Sequence, residues 1–339
     1  MTARQIRTGA MALALAALAS APAAAEMAIK FSLDWKFEGP AAGYLVALDE
    51  GYYAEEGLSV TIDTGQGSLE AIPRVASGTY QMGFADINSL IKFRDQNPDI
   101  PVKGVLMVYD KPPFSIVTLK RTGIAAPKDL EGKRLGAPAA DGAFAQWKAF
   151  VHENDIDDST VTIENVGFPL REPMLADGSV DAITGFSFSS FLNLKGAGVP
   201  EDDIVVLLMA DHGLELYGNV VIVNPDFAEQ HPEAVEGFIR ATIRGWRDTV
   251  ADPGAAVEHV LARNPVVTRE VELERLEMCL EQNVLTPHVE EHGFGGVDMD
   301  RLARSIEQIA LTYDYTSKPA PEDVFTDAFL PPAEERMLE

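Results

Sequence analysis

Cysteine and positive charge are both scarce in this sequence of 339 residues. The single cysteine, Cys279, excludes a disulfide within the chain, and its place among apolar residues at helical spacing in LERLEMCLEQNVL predicts a buried thiol rather than a nucleophile. Only 27 Lys and Arg residues stand against 53 Asp and Glu, which gives a formal net charge of −26. Because such a chain repels nucleic acid and anionic membrane surfaces, we expect neither as a partner.

The sequence also lacks an apolar run of the length that crosses a bilayer, about 20 residues. The longest candidate lies at the N-terminus, where Arg4 and Arg7 precede MALALAALAS and small residues up to Ala25 precede Glu26. A basic, then apolar, then small-residue order is typical of a secretory signal peptide. We therefore predict that residues 1–25 are a signal peptide cleaved near Ala25, that the protein is periplasmic, and that it has no lipid anchor.

Motifs for metal or nucleotide binding are weak. The segment His288–His292, HVEEH, has the H-x-x-E-H spacing of a zinc-peptidase motif. Pro287 before it and glycines after it leave barely one helical turn, so we predict a solvated acidic loop and no metal site. The GQGS stretch follows a strand, but Glu70 stands where a dinucleotide fingerprint needs its third glycine. No G-x-S-x-G nucleophile motif occurs, so we expect no cofactor and no enzymatic activity.

Short β-branched or apolar runs alternate with segments of helical period up to about residue 223, and the chain beyond 225 is almost entirely helical in pattern. Strands separated by helices predict parallel βαβ units and an α/β fold. The strand candidates are 28–33, 58–63, 81–85, 102–108, 115–120, 134–136, 160–164, 181–184, 204–209 and 219–223. The helix candidates are 40–50, 68–77, 87–95, 143–154, 171–177, 188–194, 232–251, 253–262, 268–281 and 298–313.

Polar and aromatic residues follow several of these strands. Ligands of open α/β sheets bind beyond the carboxyl ends of the strands, where Asp34-Trp35, Gly65-Gln66-Gly67-Ser68 and Asp86 are expected. Trp35 offers a flat face for stacking and Asp34 an acceptor, while Ser68 is expected to cap a helix whose free N–H groups can hold a polar ligand group. The alternatives are a Trp that belongs to the core and a Gly-x-Gly that is only a turn.

Several segments, taken in order, resemble one family. The sequences DWKFEGPAAGYLVALDEGYYAEEGL, GSLEAIPRVASGTYQMGFAD, PKDLEGKRLGAP, LADGSVDAITGF and HPEAVEGFIRATIRGWRDTVADPGAAVEHVLARNP are similar to periplasmic substrate-binding proteins of ABC importers. The class is the one that handles thiamine-pyrimidine precursors, riboflavin, alkanesulfonates, taurine and nitrate. The resemblance implies a type II two-lobe fold of mixed, mainly parallel sheets. Lobe I would combine 26–118 with 221–339, lobe II would be 119–220, and hinges would lie near Val117–Lys120 and Gly218–Val221.

The resemblance also implies a function without chemistry. A monomer would close over a small molecule and deliver it to a membrane permease with its ATPase. In the branch that this chain resembles at its start, the Asp-Trp pair lies in the pocket and the Trp stacks on a heteroaromatic ring. Because aromatic and acidic residues dominate the candidates and only Arg171 is an obvious cation, we favour a neutral or cationic heteroaromatic ligand such as a pyrimidine. Further candidates that follow strands are Tyr109, Asp141, Phe144, Glu172, Phe186 and Tyr217, beside Gln66 and Gly67 of the GQGS stretch. The alternatives are a sulfonate or nitrate ligand, a same-fold enzyme such as the cytosolic pyrimidine synthases, and a sensory binding protein.

Overall fold

The computed structural model describes residues 26–338, and the predicted signal peptide lies outside them. Within these residues the chain forms ten β-strands, and each lies where the sequence predicts one. The strands are β1 Met27–Ser32, β2 Leu58–Asp63, β3 Met82–Asp86, β4 Lys103–Met107, β5 Phe114–Leu119, β6 Arg134–Ala137, β7 Thr162–Asn165, β8 Ala182–Phe186, β9 Ile204–Leu208 and β10 Asn219–Val223. Runs such as NVVIV in β10 are buried throughout, as expected for a central strand covered on both faces.

The strands form two five-stranded sheets of the same topology. The first sheet has the order β2-β1-β3-β10-β4 and the second the order β7-β6-β8-β5-β9. In each sheet the first three strands are parallel, and the fourth runs antiparallel to both of its neighbours. The α/β class that the sequence predicts, with mixed and mainly parallel sheets, is confirmed.

The chain crosses between the sheets twice. The first crossing connects β4 to β5 through residues 108–113, and the second connects β9 to β10 through residues 209–218. The sequence predicts the first crossing later, near Val117–Lys120. However, β5 already pairs with β8 and β9 of the second sheet, so residues 114–118 lie with that sheet. The position near Val117–Lys120 was implied by the resemblance alone, which could not show that β5 pairs with strands much later in the chain.

The strands are joined and followed by helices. Those in the described part of the chain are α1 Ala42–Asp49, α2 Tyr52–Glu55, α3 Ser68–Ala76, α4 Ile87–Gln96, α5 Trp147–Glu153, α6 Phe168–Asp177, α7 Ser187–Gly196, α8 Pro225–Gln230, α9 Pro232–Ala251, α10 Pro253–Leu261, α11 Arg269–Cys279, α12 Pro287–His292, α13 Met299–Ile309 and α14 Pro321–Val324. A π-helical turn, Leu280–Val284, continues α11. Between residues 26 and 338 no helix has the length and apolar character needed to span a membrane.

The C-terminal helices cover the first sheet. The ring of Phe31 on β1 lies 5.1 Å from that of Phe238 on α9 and 4.9 Å from that of Tyr44 on α1, measured between centroids. Trp246, also on α9, is fully buried and meets Tyr44 edge to face at 5.8 Å. The apolar stripe that the sequence predicts for residues 232–251 is therefore the face that packs on this lobe.

Candidate functional site

A cavity of about 660 Å³ lies between the two sheets. Its walls come from the segments that follow β1, β2, β3 and β4 of the first sheet and β6 and β8 of the second, together with the first turn of α6 and part of α11. The carboxyl ends of the strands thus meet at the cavity, which is where α/β sheets bind ligands.

The cavity brings together most of the residues that the sequence singled out. The predicted residues that line it are Asp34, Trp35, Gln66, Gly67, Ser68, Asp86, Tyr109, Asp141 and Phe186. The first seven belong to the first sheet and its loops, and the last two to the second. Their convergence follows from topology, because each lies at or just after the end of a strand.

Three predicted residues do not line the cavity. Phe144 packs on the apolar core beside the second sheet. Glu172 is buried, and its Oε1 accepts hydrogen bonds from Nε and Nη2 of Arg171, at 3.0 and 2.6 Å. Tyr217 is fully buried, with its hydroxyl accepting from the Asp298 N–H at 2.8 Å and the Arg301 guanidinium 3.8 Å above its ring. Glu172 and Tyr217 are thus occupied by partners that the sequence pattern does not reveal.

The predicted site residues Asp34-Trp35 and the GQGS stretch pack directly against each other. The N–H of Gly67 donates to the Asp34 carbonyl at 2.6 Å, and that of Gly65 donates to the Trp35 carbonyl at 3.3 Å. A Cβ at Gly65 would lie only 2.3 Å from the carbonyl oxygen of Leu33, and Gly67 has a φ of 107°. Gly65 is therefore required for this close approach, and Gly67 for its positive φ.

Asp34 is the acid most affected by its surroundings. Its Oδ2 accepts a hydrogen bond of 2.6 Å from Nδ2 of Asn219, on the neighbouring strand β10. Part of the side chain faces the cavity, but protein atoms surround the group and leave it little solvation. Burial therefore raises the pKa of Asp34 to about 7, with further contributions from the negative charges of Asp86 and Glu38. Near neutral pH the group can act as either an acceptor or a donor.

Ser68 differs from its predicted role. The N-cap of α3 is Gly67, and Ser68 is the first helical residue, whose Oγ accepts from the N–H of Asp86 at 2.9 Å. The N–H of Gln66 already donates to Oε2 of Glu70 at 2.7 Å, and Arg74 pairs with the same carboxylate at 2.6 Å. A carboxylate of the chain therefore already occupies part of the helix start that would hold an anion.

Asp86 caps the next helix, α4. Its Oδ1 accepts from the N–H of Asn88 at 3.1 Å, and its Oδ2 from the N–H and hydroxyl of Ser89, both at 2.8 Å. Burial raises the pKa of Asp86 despite these bonds. The residue lines the cavity, but its carboxylate is already satisfied by a capping role.

Trp35 and Phe168 both line the cavity and contact each other there. Trp35 follows β1 of the first sheet and is 36% exposed, whereas Phe168 begins α6 beside the second sheet. Their ring centroids lie 6.0 Å apart at an interplanar angle of 59°. Lys36 lies at the same place, with its Nζ 5.3 Å from the Trp35 ring centroid. Phe168 was not among the predicted residues, although its place just after a strand, before Pro169, was a usable signal.

Two buried arginines also line the cavity, and each is already paired. Arg171 contacts Glu172 as described above, and Arg275 on α11 donates through Nε to both oxygens of Glu272, at 3.3 and 3.2 Å. Glu38 lies 3.7 Å from the same Nε, and burial raises its pKa. Arg275 could not be assigned from the pattern, because only folding brings the C-terminal α11 to the strand ends.

Two other predictions concern residues away from the cavity. Cys279 is buried as predicted, and burial raises the pKa of its thiol to about 12, so the thiolate is not populated at neutral pH. The predicted acidic loop at His288–His292 is wrong, because Pro287–His292 forms the short helix α12, capped by Thr286. Its two imidazole rings stack at 4.6 Å. Across residues 26–338, no group of three His, Cys, Asp or Glu side chains has metal-binding geometry.

Comparisons with known proteins agree with this architecture. A family model described as NMT1/THI5 like matches residues 40–256. Riboflavin-binding protein RibY of Chloroflexus aurantiacus is 28% identical over 299 residues, which are 86% of this chain and 82% of that protein. Formylaminopyrimidine-binding protein of Halalkalibacterium halodurans is 28% identical over 307 residues, which are 88% of this chain and 89% of that protein.

More distant relatives, 23–25% identical, are named 4-amino-5-hydroxymethyl-2-methylpyrimidine phosphate synthases. Among solved structures, the periplasmic aliphatic sulphonate binding protein of Escherichia coli superimposes with a TM-score of 0.67. The alignment covers 91% of each chain at 13% identity. This likeness confirms the periplasmic binding protein fold that the sequence predicted, and at such an identity it concerns the fold alone.

Proposed function

The chain belongs to the NMT1/THI5-like family, and we propose that it is the substrate-binding component of an ABC importer that captures a neutral heteroaromatic molecule between its two sheets. The observation that carries this proposal is the meeting of Trp35, Phe168 and the half-buried Asp34 in one cavity. Two aromatic faces and an acid that can accept or donate a hydrogen bond suit a flat ring with polar edges.

The aromatic walls support a planar ligand. Trp35 and Phe168 come from different sheets, so a ring placed between them contacts both halves of the molecule. Their present separation of 6.0 Å at a tilted angle brings the two rings into direct contact. Admitting a third ring between them requires the sheets to move apart or Phe168 to rotate.

The charges around the cavity disfavour an anionic ligand. Asp34, Glu38, Asp86 and Asp141 line it, and Arg171 and Arg275 each have a glutamate partner. Lys36 is a further cation at the cavity wall. The N–H of Gln66 is not available to an anionic ligand, because it donates to Glu70. A sulfonate or nitrate is bound best by free cationic groups or N–H donors, which this wall supplies sparingly. We therefore favour a pyrimidine or flavin type of ring over these anions.

The two crossings, residues 108–113 and 209–218, would serve as hinges. Lobe I would then hold the first sheet and the C-terminal helices, and lobe II the second sheet. Closure of the lobes over the ligand is a hinge motion of a common kind. We propose that the exported, monomeric protein presents the closed form to a membrane permease, whose ATPase supplies the energy.

An enzymatic function is the second candidate, because some relatives are named synthases. The cavity offers little for such chemistry: of the residues from 26 to 338, those that line it include neither Cys nor His. Cys279 is buried behind Tyr109 with a raised pKa. We propose that the protein binds its ligand and releases it unchanged.

A thermal-shift panel tests this function. We expect riboflavin, formylaminopyrimidine or 4-amino-5-hydroxymethyl-2-methylpyrimidine to raise the melting temperature, and taurine, methanesulfonate and nitrate not to. A ligand at 100 times its Kd stabilises the native state by about 2.7 kcal/mol. If only the anions shift the melting temperature, the proposed ligand class is wrong.

The variant Trp35→Ala tests the stacking wall. Without the Trp35 ring to stack on, the ligand should bind more weakly by about 1–3 kcal/mol, or roughly 5- to 150-fold. Val266→Ala is a matched control, because Val266 is 87% exposed and does not line the cavity. Equal affinity of the two variants for the same ligand would rule out stacking on Trp35.

A further inference from the structure

Arg171 is a buried cation with one terminal nitrogen left unpaired. The residue is 6% exposed and lines the cavity. Its Nε and Nη2 both donate to Oε1 of Glu172. The carboxylate nearest to Nη1 is that of Asp141, with Oδ2 at 3.9 Å, which is too long for a hydrogen bond. Within residues 26–338, Nη1 makes no hydrogen bond, whereas the other two guanidinium nitrogens do.

The backbone of β8 passes close to Nη1 of Arg171. A Cβ on Gly185 of β8 would lie 2.9 Å from Nη1 and 2.4 Å from Oγ of Ser190, so the absence of a side chain there makes room for the guanidinium. Oγ of Ser190 is also buried and has no hydrogen-bond partner in the described chain. Nη1 of Arg171, which lines the cavity, and Oγ of Ser190, which lies behind it, are therefore both without partners close to the same point of β8.

The charges around Arg171 determine what it can bind. Glu172 already balances the guanidinium, and Asp141 adds a second carboxyl group close by. A fully anionic group placed at Nη1 would be repelled by these carboxyl groups, whereas a carbonyl oxygen accepts a hydrogen bond without adding charge. The site thus selects for a neutral acceptor.

We infer that Arg171 is a specificity-determining residue whose Nη1 binds a carbonyl oxygen of the ligand. The inference rests on the proposed function and narrows its ligand class to heteroaromatic molecules that carry a neutral carbonyl, as a formamide or a ring lactam. Asp34 lies on the lobe I side and Arg171 on the lobe II side of the cavity. A ligand with an N–H edge and a carbonyl satisfies both and joins the two lobes.

Calorimetric titration with matched probes tests this inference. Formylaminopyrimidine and riboflavin carry a carbonyl, whereas 4-amino-2,5-dimethylpyrimidine shares the pyrimidine ring and has none. The carbonyl-free probe cannot accept the hydrogen bond from the charged Arg171. We therefore expect the wild-type protein to bind the better of the two carbonyl probes roughly 10- to 150-fold more tightly than the carbonyl-free probe. Equal affinity for all three probes would overturn the role of Arg171. Binding of none of them would overturn the proposed function itself.

Variants separate recognition from structure. The double variant Arg171→Met with Glu172→Gln removes the donor together with the charge of its paired carboxylate, and Glu172→Gln alone is its control. The double variant should lose the preference for the carbonyl probe and keep its affinity for the carbonyl-free ring. Arg171→Lys, which keeps charge and donors, should restore part of the preference. A preference that survives in the double variant, or an equal loss for all probes, would contradict the inference.

Discussion

The surroundings of Asp34 bear most directly on the proposed function. Its carboxyl group is held at 2.6 Å by Asn219 of β10, lies among other acids and faces the cavity. A site for a charged ligand would not need a carboxyl group whose pKa is about 7. A site for a neutral ring with N–H groups benefits from one, because the same carboxyl can adjust its protonation to the ligand edge.

The pH dependence of stability tests the environment of Asp34. Its pKa rises from 3.8 to about 7 on folding, so the folded state binds more protons between these values. The stabilising contribution of this group is thus fully present below pH 3.8 and is lost as the pH rises to about 7. The free energy of unfolding of Asp34→Asn, taken relative to that of wild type, should therefore increase from pH 4 to pH 7. Above pH 8 the difference should stay constant, and urea denaturation measures it.

Asp181→Asn is the control for that measurement. The hydrogen bond from Arg134 lowers the pKa of Asp181, so its stabilising contribution is present above pH 3.8 and lost as the pH falls. Its difference from wild type should be constant between pH 5 and 7 and shrink below pH 4. A constant difference for Asp34→Asn across pH 4–7 would contradict the buried environment described for Asp34.

Single residues also show what the sequence could and could not predict. Asp34, Trp35 and the GQGS stretch could be placed because they follow neighbouring parallel strands, whose ends must converge. Tyr217 also lies near a strand, but Arg301 covers its ring, and that contact spans more than 80 residues of sequence. Periodicity carries no information on such distant partners.

Among the elements, the packing of α1 on α9 depends on glycine. A Cβ on Gly245 of α9 would lie 2.1 Å from the carbonyl oxygen of Gly43 on α1. A Cβ on Gly43 would in turn lie 2.6 Å from the Trp246 ring. The two helices therefore touch backbone to backbone, which explains why α9 contains glycine inside an otherwise regular helix despite its cost of about 1 kcal/mol.

Gly245→Ala should for this reason destabilise the protein by about 1–3 kcal/mol, because the backbone of α1 cannot yield without shifting the helix. Gly196→Ala is the matched control at the end of α7, since no atom lies within 4 Å of a Cβ there. It should be neutral or slightly stabilising, by up to about 1 kcal/mol. Urea denaturation compares the two, and equal effects would refute the close approach of α1 and α9.

Helices and strands could be predicted where a single hydrophobic pattern dominated the segment. All ten strands and the long helix Pro232–Ala251 lie as the sequence indicates, because strand runs are short and apolar and the helix has one buried stripe. The short helices α2, α8, α12 and α14 were missed, since four to six residues give too little periodicity. Membership of β5 in the second sheet was also missed, because pairing depends on distant β8 and β9.

At the scale of the whole molecule, the helices α7 and α11 join the two halves beside the cavity. Nζ of Lys195 on α7 lies 2.6 Å from Glu274 on α11, and Oγ of Ser187 lies 3.0 Å from Oε1 of Gln282 in the π-helical turn. Arg275 also reaches Oγ of Ser189, at 3.4 Å. This contact brings the C-terminal part of the chain to the second sheet, an arrangement that only the tertiary structure reveals.

The most direct test of the central claim is a calorimetric titration followed by recovery of the ligand. The protein is titrated with formylaminopyrimidine and with riboflavin, then denatured, and the released molecule is identified by mass spectrometry. We predict that at least one of them saturates at one molecule per chain and is recovered unchanged. Recovery of a converted product, or saturation by taurine or nitrate with no binding of either ring, would contradict the account.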